Sequence, residues 1–278
     1  MATLCLCLFA STPDMEELGF VVRVLTGSLD EISVTARRLG YDGIEFFPDP
    51  ENVPEGEELT RALQASGASC PVIDSGRMLP QGLTLLDPDP EVRGLASEAF
   101  KRMLDLGGAV GAAVNMGGSR GNAPAGLTGA ELERLTEDVF RNLTQHAERA
   151  GSRILLEPTG DYTSYLTTMD ETMAWVDRID SPAFGVMLDT FQLTEAEPSV
   201  EQGIRAARGR ADHIHLYDPS RLPPGVLPEQ DRLDWPLIAR LLRETGFDGT
   251  GAVVLAPEGD AEAAARRSAA YLRELFAV

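Results

Sequence analysis

Lysine is nearly missing from this chain: Lys101 stands alone, and arginine supplies every other basic side chain. A Schiff-base mechanism needs a lysine amine among the reacting groups, and Lys101 falls in an amphipathic helical pattern, so that mechanism is set aside. Basic residues are scarce altogether. Lys and Arg number 24 against 44 Asp and Glu, for a formal charge of −20 and a pI near 4.5. Nucleic-acid phosphates are gripped by clustered cations, so no nucleic-acid partner is expected. Cys5, Cys7 and Cys70 are an odd, sparse set, which points to a reducing compartment without a disulfide framework. Leu4, Leu6 and Leu8 alternate with Cys5, Cys7 and Phe9 as in a strand covered on both faces, so the paired cysteines read as packing. No stretch is apolar enough to span a bilayer, and no charged segment precedes the opening apolar run. The expectation is a cytoplasmic protein with no membrane partner.

Only three histidines occur, and two fall together in Ala211-Asp212-His213-Ile214-His215-Leu216. A strand turns alternate side chains to one face, so His213 and His215 point one way and Ile214 and Leu216 the other. Two acids close earlier apolar runs. Glu157 ends Ile154-Leu155-Leu156-Glu157, and Asp189 ends Val186-Met187-Leu188-Asp189. Imidazole and carboxylate at successive strand ends form a candidate divalent-metal site, against the alternative of histidines filling an interior.

In chain order, strands are expected at Thr3–Phe9, Tyr41–Phe47, Ala68–Ile73, about Ala109–Met116, up to Glu157, up to Asp189, Asp212–Leu216 and Ala252–Leu255. Helices are expected between them. Leu29–Leu39 stops at Gly40, Glu57–Ala65 stops at Gly67, and a stripe of Val92, Leu95, Ala99, Met103 and Leu106 follows the Asp- and Pro-rich entry at residues 87–91. Thr128 is expected to cap Glu131–Ala150, and Asp170–Ile179, Val200–Arg208, a helix opened by Asp234-Trp235-Pro236 and Ala261–Phe276 complete the set. Gly117–Gly121 has the composition of an anion nest but lacks a Walker lysine, and a flexible loop is the expectation. The Pro- and Gly-rich segment 219–231 reads as a lid. His146 is a surface or packing residue. Eight strands alternating with eight helices over residues 1–278, without a linker, make one domain, a (β/α)8 TIM barrel in the α/β class.

With Glu157, Asp189 and His215 at three consecutive strand ends, the chain resembles the xylose-isomerase-like TIM barrels, the sugar phosphate isomerase and epimerase superfamily. Within it, the ketose 3-epimerase branch is the most similar. Leu188-Asp189-Thr190-Phe191, His213-Ile214-His215 with Arg221, Gly225 and Asp234-Trp235 carry the likeness. Tyr41-Asp42-Gly43-Ile44-Glu45 and Gly246-Phe247-Asp248-Gly249-Thr250 add to it. The resemblance implies one divalent cation, usually manganese, with magnesium, cobalt and zinc as alternatives. Glu157, Asp189 and His215 match three of its four ligands. It also implies an arginine on the substrate, matched by Arg221, and a histidine beneath the ligand, matched by His213.

Two positions depart from the pattern. Where the resemblance implies a strand-eight glutamate the chain has Ala256, and Glu258 shares its parity but lies ~6–7 Å further along a strand. Where it implies a histidine after the strand-six aspartate the chain has Gln192, which bonds a hydroxyl but carries no proton. Epimerisation uses two carboxylates on opposite faces of an enediolate. The expected function is a metal-dependent isomerase or epimerase of a ketose or related polyol. Glu157 would be ligand and base, Asp189, His215 and Glu258 ligands, and Arg221, Gln192, His213 and Asn115 substrate contacts. Glu45 and Asn115 have a structural hydrogen bond as the competing role. A keto-polyol dehydratase and a non-catalytic sugar-binding homologue are the alternatives, and self-association into a homo-oligomer is left open.

Overall fold

The computed structural model describes residues 4–12, 24–160, 163–255 and 259–276. One parallel sheet closes on itself. It runs β1 (Cys5–Ser11), β3 (Gly43–Phe46), β4 (Val72–Asp74), β5 (Ala113–Met116), β6 (Arg153–Leu156), β7 (Phe184–Asp189), β8 (Ala211–His215) and β9 (Thr250–Val253), and β9 pairs back onto β1. The two-residue β2 (Leu25–Thr26) rides on the end of β1, outside the ring of eight.

Around the ring lie α1 (Leu29–Arg38), α2 (Gly56–Ser66), α3 (Pro90–Val110), α4 (Gly129–Ala150), α5 (Met169–Ile179), α6 (Thr190–Ala196), α7 (Val200–Ala206), α8 (Trp235–Thr245) and α9 (Ala261–Phe276). Local chemistry sets their starts. Ser28, Thr128 and Thr168 each close a capping box with a glutamate three residues on, so two orphan N-terminal amides are bonded at each start. Close packing of α3 on α4 requires glycine, since a Cβ on Gly108 would lie 1.9 Å from the Ala150 carbonyl oxygen.

Side-chain parity divides the strands into two layers. Leu6, Leu8, Ile44, Phe46, Ile154, Leu156, Leu188 and Ile214 face outward into the main core beneath the helices. Cys7, Phe9 and Ala252 fill one side of the barrel interior, and Val72, Leu155 and Met187 the other. The inward register continues from Val72 to Asp74, from Ala113 to Asn115, from Leu155 to Glu157 and from Met187 to Asp189. Acids and amide therefore crowd the C-terminal mouth, where this architecture carries its chemistry.

Several boundaries differ from expectation. Strand four begins at Ala113 because α3 runs on to Val110 and ends at the left-handed Gly111. Leu95 is 63% exposed, because Ala96 rather than Leu95 is in line with Ala99, Phe100 and Met103. The third strand runs to Asp74, and the eighth is Thr250–Val253 rather than Ala252–Leu255. Helix α6 was unforeseen, and its cap is Asp189 itself. The segment proposed as a lid is tied at both ends, since the buried Asp218 carboxylate accepts from the backbone N–H of Ser220, Arg232 and Leu233. Among the described residues no helix is long and apolar enough to cross a membrane.

Candidate metal and active site

Glu157, Asp189 and His215 close β6, β7 and β8 and converge as the sequence implied. One atom from each lies within 4.8 Å of the others, and all three residues are buried. His215 Nδ1 is 3.5 Å from Glu157 Oε1 and 3.3 Å from Asp189 Oδ2. Each carboxylate divides its work. Asp189 Oδ1 accepts from the N–H groups of Phe191 and Gln192 as the cap of α6, which leaves Oδ2 for the cluster. Glu157 Oε2 accepts from Asn115 Nδ2 at 3.1 Å, which leaves Oε1.

The far edge of the His215 ring is held by a residue for which a structural bond was the competing expectation. Glu45, at the end of β3 and fully buried, stands between the two histidines. His215 Nε2 donates to Glu45 Oε1 at 3.0 Å and His213 Nε2 donates to Oε2 at 2.8 Å. Thr250 completes the chain at His213 Nδ1, 2.6 Å away. His213 thus lies one layer below the mouth, bonded on both ring nitrogens. Phe9 presses edge-on against His215, with ring centroids 4.8 Å apart.

Charges follow from this packing. Burial alone would raise the Glu45 carboxyl, but the two imidazoles, His215 first, outweigh it and hold Glu45 at about 2. Burial disfavours a charged His215, yet Glu45, Asp189 and Glu157 around it raise its pKa well above the ordinary value. His213 moves the other way because burial dominates there, so it is neutral and its Nδ1 accepts from the Thr250 hydroxyl. Burial also lifts the Glu157 carboxyl, and the nearby Asp189 charge adds to the rise.

Behind Glu157 lies Arg120, fully buried, from the segment expected to be a flexible loop. Its guanidinium donates to the carbonyl oxygens of Glu157, Tyr165 and Leu166 and to Thr159 Oγ1, so the segment is a fixed 3₁₀ turn. Gly117 makes room at the front. A Cβ there would come within 2.1 Å of Glu157 Oε2.

The remaining expected residues among those described fall on α6 and the loops. Gln192, 5% exposed, accepts from the Gly160 N–H through Oε1 and so joins α6 to the loop after β6. Arg221 sits on an exposed turn with φ of 65°. Ala256 and Glu258 lie outside the described residues. Asp74 was missed because its strand was expected to end one residue earlier. Burial first, and then the charge of Glu45, push its carboxyl well up.

Residues 34–275 match the model of the xylose isomerase-like TIM barrels. The chain belongs to that family. Among curated members, a D-psicose 3-epimerase of Enterocloster bolteae is 34% identical over 119 residues, which is 42% of this chain and 38% of that one. A D-psicose 3-epimerase of Ruminiclostridium cellulolyticum is 28% identical over 235 residues, 79% of this chain and 75% of its own. A solved 3-keto-D-glucoside 4-epimerase of E. coli superposes with a TM-score of 0.78 at 19% identity, over 98% of this chain and 99% of that one. A xylose isomerase-like TIM barrel protein of Mycobacterium smegmatis, solved in complex with magnesium, gives 0.68 at 20% identity over 97% and 96% of the two chains. At such identities the structural likeness speaks for the family's barrel.

Proposed function

We propose that the chain is a divalent-metal-dependent isomerase or epimerase acting on a ketose or related polyol through an enediolate. The sugar isomerase and epimerase class rests on the curated relatives. One observation carries the chemistry: Glu157 Oε1, Asp189 Oδ2 and His215 Nδ1 meet at the mouth of the barrel.

The donor set fits a hard or borderline dication. Two carboxylate oxygens and one imidazole nitrogen, buried together, suit manganese, magnesium, cobalt or zinc, and manganese is our reading. Glu157, Asp189 and His215 would hold the ion, and Glu258 is proposed as a fourth ligand. When bound, such an ion polarises a carbonyl and stabilises charge developing on its oxygen.

Glu157 is the base. The Asn115 amide, donating to Oε2 at 3.1 Å, fixes its carboxylate in place. The substrate C–H proton passes to a Glu157 oxygen, the C–H pair forms the enediolate double bond, and the carbonyl π pair moves to oxygen. Return of a proton to the opposite face of the same carbon gives an epimer, and return to the neighbouring carbon an isomer. Arg221, Gln192 and Asn115 are proposed as substrate contacts, and His213 as support beneath the site.

The test follows solvent deuterium entering the substrate α to the carbonyl. Wild-type protein loaded with manganese should exchange that proton, and Glu157→Gln and Asp189→Asn should suppress the exchange at least 100-fold. Undiminished exchange in both variants would overturn the assignment.

A further inference from the structure

Asp74 stands at the same mouth with no role in the chemistry above. It ends β4, follows Val72 into the barrel interior and is 3% exposed. Its Oδ1 accepts from the Gly76 N–H at 2.5 Å and its Oδ2 from Asn115 Nδ2 at 2.8 Å. The same amide nitrogen donates to Glu157 Oε2 at 3.1 Å. Both N–H bonds of Asn115 are therefore spent, one on each acid. The reverse orientation would set the amide oxygen against two carboxyl groups, so the pair of acids fixes which way Asn115 faces.

The consequence falls on the other end of the amide. Asn115 Oδ1 is buried and has no hydrogen-bond partner among the described residues, although Asn115 is only 3% exposed. Most buried acceptors in native interiors are paired. The Arg120 guanidinium is directed onto carbonyl and threonine oxygens, and Arg77 lies 4.0 Å from Asp49. Gly117 adds no side chain, and a Cβ there would stand 3.4 Å from Asn115 Oδ1. Asn115 Oδ1 and Glu157 Oε2 both lie against Gly117, 3.4 and 2.1 Å from where its Cβ would stand, so the unpaired acceptor is a neighbour of the catalytic base.

We propose that Asp74 is the positioning residue of a hydroxyl-selecting subsite: it locks Asn115 with Oδ1 outward, to accept from one substrate O–H close to the carbon that Glu157 deprotonates. The inference rests on the sugar reading above and deepens it, since it makes one hydroxyl of the substrate obligatory. Asp74 acts through Asn115. An asparagine at 74 has a single acceptor oxygen, and if that stays on the Gly76 N–H its NH₂ meets the NH₂ of Asn115. Donor against donor favours turning Asn115 over, which removes the outward acceptor.

The experiment compares kcat and KM for D-psicose and D-fructose with those for their 4-, 5- and 6-deoxy analogues, in manganese-loaded wild type, Asp74→Asn and Asn115→Ala. In wild type one deoxy position should lose about 100-fold or more in kcat/KM, since a site built to bond a hydroxyl rejects an analogue without it, and the other positions only a few-fold. In Asp74→Asn the parent sugar should fall to the level of that analogue, with the loss mainly in KM, while the analogue itself is unchanged. Asn115→Ala should erase the same discrimination, which covers the case of a poorly folded Asp74 variant. An equal loss on parent and analogues in both variants, or a wild type indifferent to every deoxy position, overturns the subsite and leaves the sugar reading standing. Turnover of none of these sugars by the wild type would overturn the ketose reading and the subsite with it.

Discussion

Glu45 Oε1 and His215 Nε2 lie 3.0 Å apart, on the edge of the imidazole turned away from Glu157 and Asp189. Because Nε2 is committed as donor to a buried carboxylate, Nδ1 is the nitrogen left to face the cluster. A carboxylate behind a ligating histidine orients the ring and raises its basicity. Glu45→Gln should therefore lower divalent-ion affinity by about 10- to 100-fold, measured by titration calorimetry with manganese. Glu45→Ala should in addition destabilise the metal-free protein by about 1–3 kcal/mol, read from urea denaturation, because two buried N–H donors lose their acceptor.

The same pair sets a pH window for the metal-free protein. Glu45 is depressed from 4.5 to about 2, so its contribution is present above about 4.5 and lost as pH falls toward 2. His215 is raised above 6.5, so its contribution is complete below about 6.5 and lost as pH rises through its folded value. Thermal melts in chelator should show this pair contributing fully between those two pH values. Glu45→Gln should weaken the acid-side loss. Added manganese should stabilise more as pH rises, because a ligating Nδ1 must first shed its proton.

Gly117→Ala tests the packing at the front of the base. The new methyl group would stand 2.1 Å from Glu157 Oε2, so the carboxylate has to move. A shift of about 1 Å at a reacting group costs on the order of 100-fold in rate. Solvent exchange of the substrate proton should fall by that factor. An unaltered exchange rate would show that Glu157 is not held where the structure has it.

Arg120→Ala removes a buried cation that joins the end of β6 to Thr159, Tyr165 and Leu166. Several carbonyl oxygens lose a charged donor at once, and the expected cost is about 2–4 kcal/mol in urea denaturation. Arg120→Lys should recover little, since an ammonium cannot span several acceptors as the planar guanidinium does.

The amino-acid pattern alone determined a good deal. Alternation of apolar strands with capped helices specified the barrel, because period-2 and period-3.6 patterns and capping residues are local properties. The acids and histidines at the strand ends were legible for the same reason: parity places Glu157, Asp189 and His215 inward once their strands are located. Tertiary structure alone decided the rest, because it depends on residues far apart in sequence. Only closure of the ring sets Glu45 against two histidines about 170 residues away, as the separations of 168 and 170 residues show. It also places Asp74 and Glu157 on one amide of Asn115, turns Asp189 into a helix cap as well as a ligand candidate, and buries Arg120. Hydrogen-bond partners and burial are set by which strands become neighbours, and no local spacing encodes that.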